Sequence, residues 1–260
     1  MTTLGVIGGT GWLGGALLRP ALAKGFVDPA DLILSSRSGK TAGFEGWPGI
    51  RFVTDNVMLA AQSDIVILSV RPEDLDTLDL DLSGKLVISV MARVSAAALL
   101  ARFKSRRIIR AMPNACAEQG LSFTPWLSTP DATDADADFA DSFFACSGKT
   151  TRLSTESELD YFTALTGSGP AFIAAFADTM IRDAIENGVA PDIADAAVRQ
   201  LFLGAGTWLA GASETPADTV RIFTEYGGTT AAGLTAMLSA DIAGPISKGL
   251  AAAKDKAARG

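Results

Sequence analysis

The chain is expected to fold as an α/β protein, a doubly wound parallel sheet followed by an all-α part. Three observations lead there. Short apolar runs rich in Val, Ile and Leu alternate with amphipathic stretches through the first 150 residues. From Ser154 onward those runs stop, and long Ala-rich stretches with helical spacing take over. A glycine-rich turn, Gly8-Gly9-Thr10-Gly11-Trp12-Leu13-Gly14, directly follows the first apolar run. The change of pattern puts a domain boundary near Arg152, dividing the chain into 1–152 and 153–260. A chain of 260 residues is long enough for one large domain or two modest ones with a sizeable core.

The apolar runs at 4–7, 32–35, 65–70, 86–90 and 108–111 are predicted strands buried on both faces, because a sheet covered by helices needs continuous rather than alternating hydrophobicity. Between them, 13–24, 56–61 and 96–103 have helical spacing, which makes each crossover a parallel one. Residues 129–141 are acidic and small, yet Pro130 followed by Phe139, Phe143 and Phe144 reads as a helix rather than a linker. Further helices are predicted over 156–164, 171–187, 193–210 and 216–223 and at the C-terminus. Asn187-Gly188 and Gly211 serve as stops, and Pro191 and Pro216 stand near helix starts, where a missing N–H costs nothing.

Two segments in this second half are irregular: Leu165-Thr166-Gly167-Ser168-Gly169-Pro170-Ala171-Phe172 and Gly227-Gly228-Thr229-Thr230-Ala231-Ala232-Gly233-Leu234. Glycine costs about 1 kcal/mol relative to Ala inside a helix, so a helix that only packs would avoid Gly227-Gly228. Placed at a helix start, the pair offers backbone N–H groups, and Thr229 and Thr230 two hydroxyls, to a small polar ligand.

Gly9-x-Gly11-x-x-Gly14 satisfies the dinucleotide fingerprint in the required context, after a strand and at the mouth of a helix. Its glycines permit a tight turn and close approach of backbone N–H groups to a pyrophosphate; Thr10, Trp12 and Leu13 lie in the same loop. The second strand discriminates between cofactors. An NAD site wants a carboxylate at its end for the ribose diol. Here it ends Leu34-Ser35-Ser36-Arg37-Ser38, with no carboxylate before Glu45. Arg37 can clamp a 2′-phosphate, with Ser36 and Ser38 donating to it, so NADP is expected, as NADPH in preference to NADH; the alternative is a solvated surface arginine. Ser69-Val70-Arg71-Pro72 and Arg110-Ala111-Met112-Pro113-Asn114 end two further strands, where an open parallel sheet lines its ligand crevice. Asn114 offers an amide to a nicotinamide carboxamide or to substrate; Arg71 and Arg110 read equally well as site or structural cations.

Composition narrows the chemistry. The net charge of -7 argues against a nucleic-acid or anionic-membrane partner. With no histidine in the chain, His triads, His metal sites and imidazole bases are excluded, and no metal site is expected. Two cysteines, Cys116 and Cys146, are too few for a disulfide framework and suit a reducing compartment, and no apolar run approaches the about 18 residues of a membrane span. The expected location is the cytoplasm. Cys116 is expected as a semi-buried thiol and Cys146 as core.

These segments together resemble the pyrroline-5-carboxylate reductases. The family's glycine fingerprint is similar to Gly9–Gly14, its AVKP to Ser69-Val70-Arg71-Pro72, and its R-x-MPNTP to Arg110-Ala111-Met112-Pro113-Asn114. Its LSGSGPAY resembles Leu165 through Phe172 and its GGTT-x-AGL resembles Gly227 through Leu234, in the same order along nearly the whole chain. The resemblance implies a Rossmann-type domain followed by an all-α dimerisation domain, in a homodimer that often assembles further into decamers. It implies substrate bound where one subunit's helices meet the other's cofactor domain, and hydride transfer from NAD(P)H to the imine carbon of 1-pyrroline-5-carboxylate, giving L-proline. In that pattern Thr230 hydrogen-bonds the ring nitrogen and the backbone of Gly227, Gly228 and Thr229 cradles the carboxylate. Ser168 either contacts the ligand or lets two helices approach beside it.

Three departures stand out. Glu225-Tyr226 replaces the Ser-Pro that precedes GGTT in the family, setting a carboxylate where one would bind unless it points away or pairs with a cation. Ala115-Cys116 replaces Thr-Pro after Asn114. The extra residue in Gly8-Gly9-Thr10-Gly11 also resembles the deazaflavin-dependent NADP reductases. Two alternatives therefore stand beside the leading expectation: a reductase of a different imine or ketone, with Glu225 contacting an amine, and a non-catalytic nucleotide sensor on the same fold.

Overall fold

One eight-stranded sheet dominates the computed structural model, which describes residues 2–37, 39 and 41–259. Its strands are β1 Leu4–Ile7, β2 Leu32–Ser35, β3 Arg51–Val53, β4 Ile65–Leu68, β5 Leu86–Ser89, β6 Arg107–Ala111, β7 Ser122–Ser128 and β8 Gly148–Arg152. They are ordered β3-β2-β1-β4-β5-β6-β7-β8. β1 to β6 pair in parallel, with Leu4 opposite both Leu32 and Ile65. β7 then runs antiparallel to β6, and β8 lies parallel to β7.

All residues of β1, β2, β4 and β5 are buried, as strands covered on both faces must be. Alternate side chains feed two cores. Val6, Leu34, Ile67, Ile88 and Ile109 join Leu17 and Leu18 of α1 (Trp12–Ala23) and Phe143 and Phe144 of α4 (Asp134–Ala145). Ile7, Ile33, Val66, Val87 and Ile108 join Leu59 of α2 (Asn56–Ala61) and Leu99 and Phe103 of α3 (Ala96–Phe103) on the other face. The helix expected over 129–141 begins later, at Asp134, because Thr133 and Asp136 form a reciprocal capping box that sets its start.

The sheet thus gains three strands beyond the five expected, and its last two reverse direction. β3 has only three residues, β8 is the polar edge segment Gly-Lys-Thr-Thr-Arg, and β7 contains Pro125, so none presents a continuous apolar run.

The chain forms two compact units, Met1–Pro170 with Ala252–Gly260, and Ala171–Ala251. Arg152 is the last residue of β8; α5 (Glu156–Phe162) and a π-turn over Thr163–Gly167 follow it within the first unit. There Leu159 packs against Met112 and Leu127. The remaining helices are α6 Gly169–Glu186, α7 Pro191–Gly211, α8 Pro216–Tyr226, α9 Gly228–Ser239 and α10 Ala243–Ala258. Within the second unit Phe176 of α6 meets Phe202 of α7, and Trp208 of α7 meets Phe223 of α8, each pair edge to face at 6.1 Å. Large apolar side chains nevertheless stand exposed on it, among them Ile173, Leu203, Trp208 and Ile222. Among the described residues no helix is long and apolar enough to cross a membrane.

Candidate functional site

Strand order reverses between β1 and β4, and in an open parallel sheet the crevice at that point takes the ligand. A cleft of about 1050 Å³ opens there, beyond the carboxyl ends of β1, β2, β4 and β5. Gly8, Thr10, Gly11, Trp12 and Leu13 form one wall. Gly8 turns the chain with φ +78°, and a Cβ on it would strike the Ser69 carbonyl. A Cβ on Gly14 would come within 2.7 Å of the Gly8 oxygen, and one on Gly9 within 2.8 Å of Leu34 Cδ2. The glycines are therefore required where helix and strand pack closely. Gly11 is the N-cap of α1 and provides no side-chain acceptor, so the first N–H groups of the helix face the cleft without a capping side chain.

The far end of the cleft is built by Ser35 at the end of β2, Ser36 and Arg37 just after it, Thr54 and Asn56 after β3, and Asp74 and Thr77 after β4. Ser35 Oγ donates to Asn56 Oδ1 at 2.6 Å. Among the described residues Ser36 Oγ is buried with no hydrogen-bond partner, an expensive arrangement unless a ligand supplies one. Arg37 is largely exposed, and its Nη1 lies 3.6 Å from Asp74 Oδ1. The orphaned Ser36 hydroxyl, the adjacent guanidinium and the glycine cradle together fit a dinucleotide bearing phosphate at both positions. Ser38, expected with them, lies outside the described residues.

Val70, Arg71 and Pro72 line the cleft from β4, with Arg71 exposed. Val90, Met91 and Ala92, which sequence reasoning missed, line it from β5. Arg93 follows them with φ 62° and is held to Glu73 by a 2.9 Å ion pair. The signal for these residues was positional: they directly follow carboxyl ends of parallel strands.

Arg110 resolves as structural. Its guanidinium is buried, and Nη1 donates to Glu156 Oε1 at 2.7 Å. The same oxygen accepts the Ala96 N–H at 2.7 Å, tying α5 to the start of α3. Met112, Pro113 and Asn114 are buried and are not among the residues lining the cleft. Asn114 Oδ1 accepts the Cys116 N–H at 2.9 Å and so caps the short 3-10 turn Ala115–Gln119. Cys116 is half-buried; Cys146 is buried, which pushes its thiol pKa up. Just after the π-turn, Ser168 Oγ donates to the Thr163 carbonyl at 3.2 Å. A Cβ on Gly167 would meet Met112 Cγ at 3.5 Å, so the turn packs beside the end of β6.

In the second unit, Gly227 and Gly228 adopt φ +82° and +78° between α8 and α9, a backbone that L side chains rarely adopt. Gly227 caps α9 without a side-chain hydrogen bond. Thr224 Oγ1 donates back to Val220 O at 2.7 Å, the usual helical arrangement. Among the described residues the Thr229 and Thr230 hydroxyls make no such bond, and both side chains are exposed. The start of α9 therefore presents free N–H groups and two free hydroxyls. Glu225 is exposed on α8, and Arg221, one turn earlier, reaches its carboxylate at 3.3 Å while also meeting Asp218 at 3.3 Å.

The family described as pyrroline-5-carboxylate reductase dimerisation matches residues 156–259, and that described as NADP oxidoreductase, coenzyme F420-dependent, matches residues 3–93. A pyrroline-5-carboxylate reductase of Vibrio alginolyticus is 30% identical over 216 residues, covering 80% of this chain and 79% of its own. A solved structure of a pyrroline-5-carboxylate reductase from Coxiella burnetii superposes with a TM-score of 0.88 at 25% identity, over 98% of this chain and 97% of that one. The pyrroline carboxylate reductase of Plasmodium falciparum, solved with NADP bound, shares the fold at TM-score 0.85 and 22% identity, over 99% of this chain and 97% of that one. The likeness to these proteins runs nearly end to end, and the chain belongs to the pyrroline-5-carboxylate reductase family.

Proposed function

We propose that this chain reduces 1-pyrroline-5-carboxylate to L-proline with a nicotinamide dinucleotide, NADPH in preference to NADH, as a homodimer. The observation that carries the substrate assignment is the start of α9: paired positive-φ glycines with no capping side chain, followed at once by two exposed hydroxyls. Gly227, Gly228 and Thr229 N–H groups bind the substrate carboxylate at the positive end of the helix dipole. Thr230 hydrogen-bonds the ring nitrogen and orients the imine carbon. The dinucleotide, when bound, supplies the hydride. The α1 amides and the Gly8–Gly14 cradle hold its pyrophosphate, and Ser36 and Arg37 its 2′-phosphate. A protonated cyclic imine is already electrophilic, so orientation is the main demand on the protein, and a chain with no histidine can meet it. Glu225 does not stand as a bare carboxylate against the substrate, because Arg221 pairs with it. The exposed apolar side chains of α6, α7 and α8 support a partner subunit, since a monomer rarely leaves so many in water.

The test follows NADPH absorbance with pyrroline-5-carboxylate, NADH in parallel. Turnover preferring NADPH is expected. Thr230→Ala should lower kcat/KM at least about tenfold while leaving the NADPH dissociation constant unchanged. No oxidation by a protein that binds NADPH would refute the substrate, and a large gain from Glu225→Ser would move the assignment to an imine lacking a carboxylate.

A further inference from the structure

We infer that Asp74 sets the balance between phosphorylated and unphosphorylated dinucleotides in the cleft, by competing with the 2′-phosphate for Arg37. The inference rests on the cleft being the dinucleotide site and adds a residue that tunes which dinucleotide it takes.

The end of β2 carries no carboxylate; the nearest one on that side, Glu45, turns back to accept the Gly43 N–H at 3.0 and 3.1 Å. The acid that reaches Arg37 comes instead from the 3-10 turn Pro72–Thr77 after β4. Asp74 Oδ1 stands 3.6 Å from Arg37 Nη1, close enough to attract and too long for a hydrogen bond. The two partners differ in freedom. Arg37's side chain is 87% exposed, whereas Asp74's is 27% exposed. The turn that bears Asp74 is fixed by Pro72, by its own N–H bonded to Arg71 O at 2.9 Å, and by Thr77 Oγ1 bonded to its carbonyl at 2.6 Å. Arg37 can therefore swing to a ligand while the carboxylate stays in the wall of the cleft.

The consequences for two ligands are opposite. A 2′-phosphate carries a charge of about -1.5 to -2 at neutral pH and draws Arg37 away from Asp74, then sits beside the carboxylate left behind. A ribose 2′-hydroxyl can donate to that carboxylate, the contact usually made by an acid at the end of the second strand. Arg37 and Ser36 favour the phosphate, and Asp74 opposes it.

Calorimetric titration with adenosine 2′,5′-bisphosphate and with ADP reads this without any turnover. Working with the ratio of the two affinities cancels any loss of folded protein in a variant. Asp74→Asn should raise the preference for the bisphosphate by roughly threefold, the scale of an exposed ion pair. Arg37→Ala should lower it, and in an Arg37→Ala background the gain from Asp74→Asn should shrink. An unchanged or reduced preference in Asp74→Asn, or an equal gain with and without Arg37, overturns the inference while leaving the cleft a nucleotide site. Failure of wild-type protein to bind either nucleotide overturns the site assignment and the inference with it.

Discussion

Glu156→Ala should destabilise the sheet unit by about 3 kcal/mol, although Glu156 lies on the surface end of α5. Arg110's side chain is 4% exposed and spends its Nη1 on Glu156 Oε1 at 2.7 Å, while its Nε is buried with no partner among the described residues. Removing one member of a buried pair leaves an uncompensated charge and costs roughly 3–5 kcal/mol. Glu156 itself is 40% exposed and the Asp160 carboxylate also feels Arg110's charge, so water in the vacated space and this second acid bring that figure to about 2. The Ala96 N–H loses its acceptor as well, a further loss of about 1 kcal/mol at the first turn of α3. Arg110→Met should cost less, about 1 kcal/mol, because the freed Glu156 can turn to solvent. The double variant should then be more stable than Glu156→Ala alone, since no buried charge remains. Urea unfolding followed by circular dichroism, at one protein concentration because association adds stability, measures all three. A loss below about 1 kcal/mol for Glu156→Ala, or strict additivity in the double variant, would refute the account of Arg110 as a buried cation needing its acid.

Two further outcomes follow from the same geometry. Gly8→Ala must place a Cβ at φ +78° against the Ser69 carbonyl, which cannot yield without parting β1 from β4, so dinucleotide affinity should fall at least about tenfold and Tm should drop; wild-type values in both would show that the turn has slack. Burial of Asp136 opposes its ionisation, yet the bonds from Arg107 and from Thr133 outweigh it and hold its pKa below the usual carboxylate range. A lowered native pKa gives stability that is present above the unfolded value of about 4 and is lost as pH falls through the native one. Asp136→Asn should accordingly lower Tm at neutral pH and flatten its acid limb; parallel limbs in Tm scans against pH would discount the pair.

Five strands were legible because each is a short run of Val, Ile and Leu, and burial on both faces is what such runs record. β8 left no such trace: its Lys149, Thr150, Thr151 and Arg152 lie at a sheet edge, where one side needs no apolar cover. β7 carries Pro125, which reads as a break, yet its carbonyl still accepts the Met112 N–H at 2.9 Å. The glycine cradle could be recognised because its pattern occupies seven consecutive residues directly after a strand, although two of its glycines are required by Ser69 and Leu34, remote in sequence. Asp74, Asn56 and Met91 could not, since they meet the cleft only when four strands are laid side by side.

Polar side chains were the hardest to assign, because a long or versatile side chain takes its role from a partner remote in sequence. From sequence alone Arg110 reads equally as site or structural cation; its partner Glu156, 46 residues on, makes it structural. Asn114 offered an amide suited to a nicotinamide, and its oxygen is engaged by the Cys116 N–H. Glu225 is the instructive opposite. It sets a carboxylate beside the pocket proposed for one, yet its partner is in the sequence: Arg221 stands four residues earlier, and on a helix that spacing brings the two side chains together. An exposed pair of this kind contributes well under about 1 kcal/mol to stability. On the proposed assignment its weight lies elsewhere: it offsets a negative charge two residues before the glycines proposed to receive the substrate carboxylate, so the replacement of the family's serine by Glu225 does not by itself argue against that ligand.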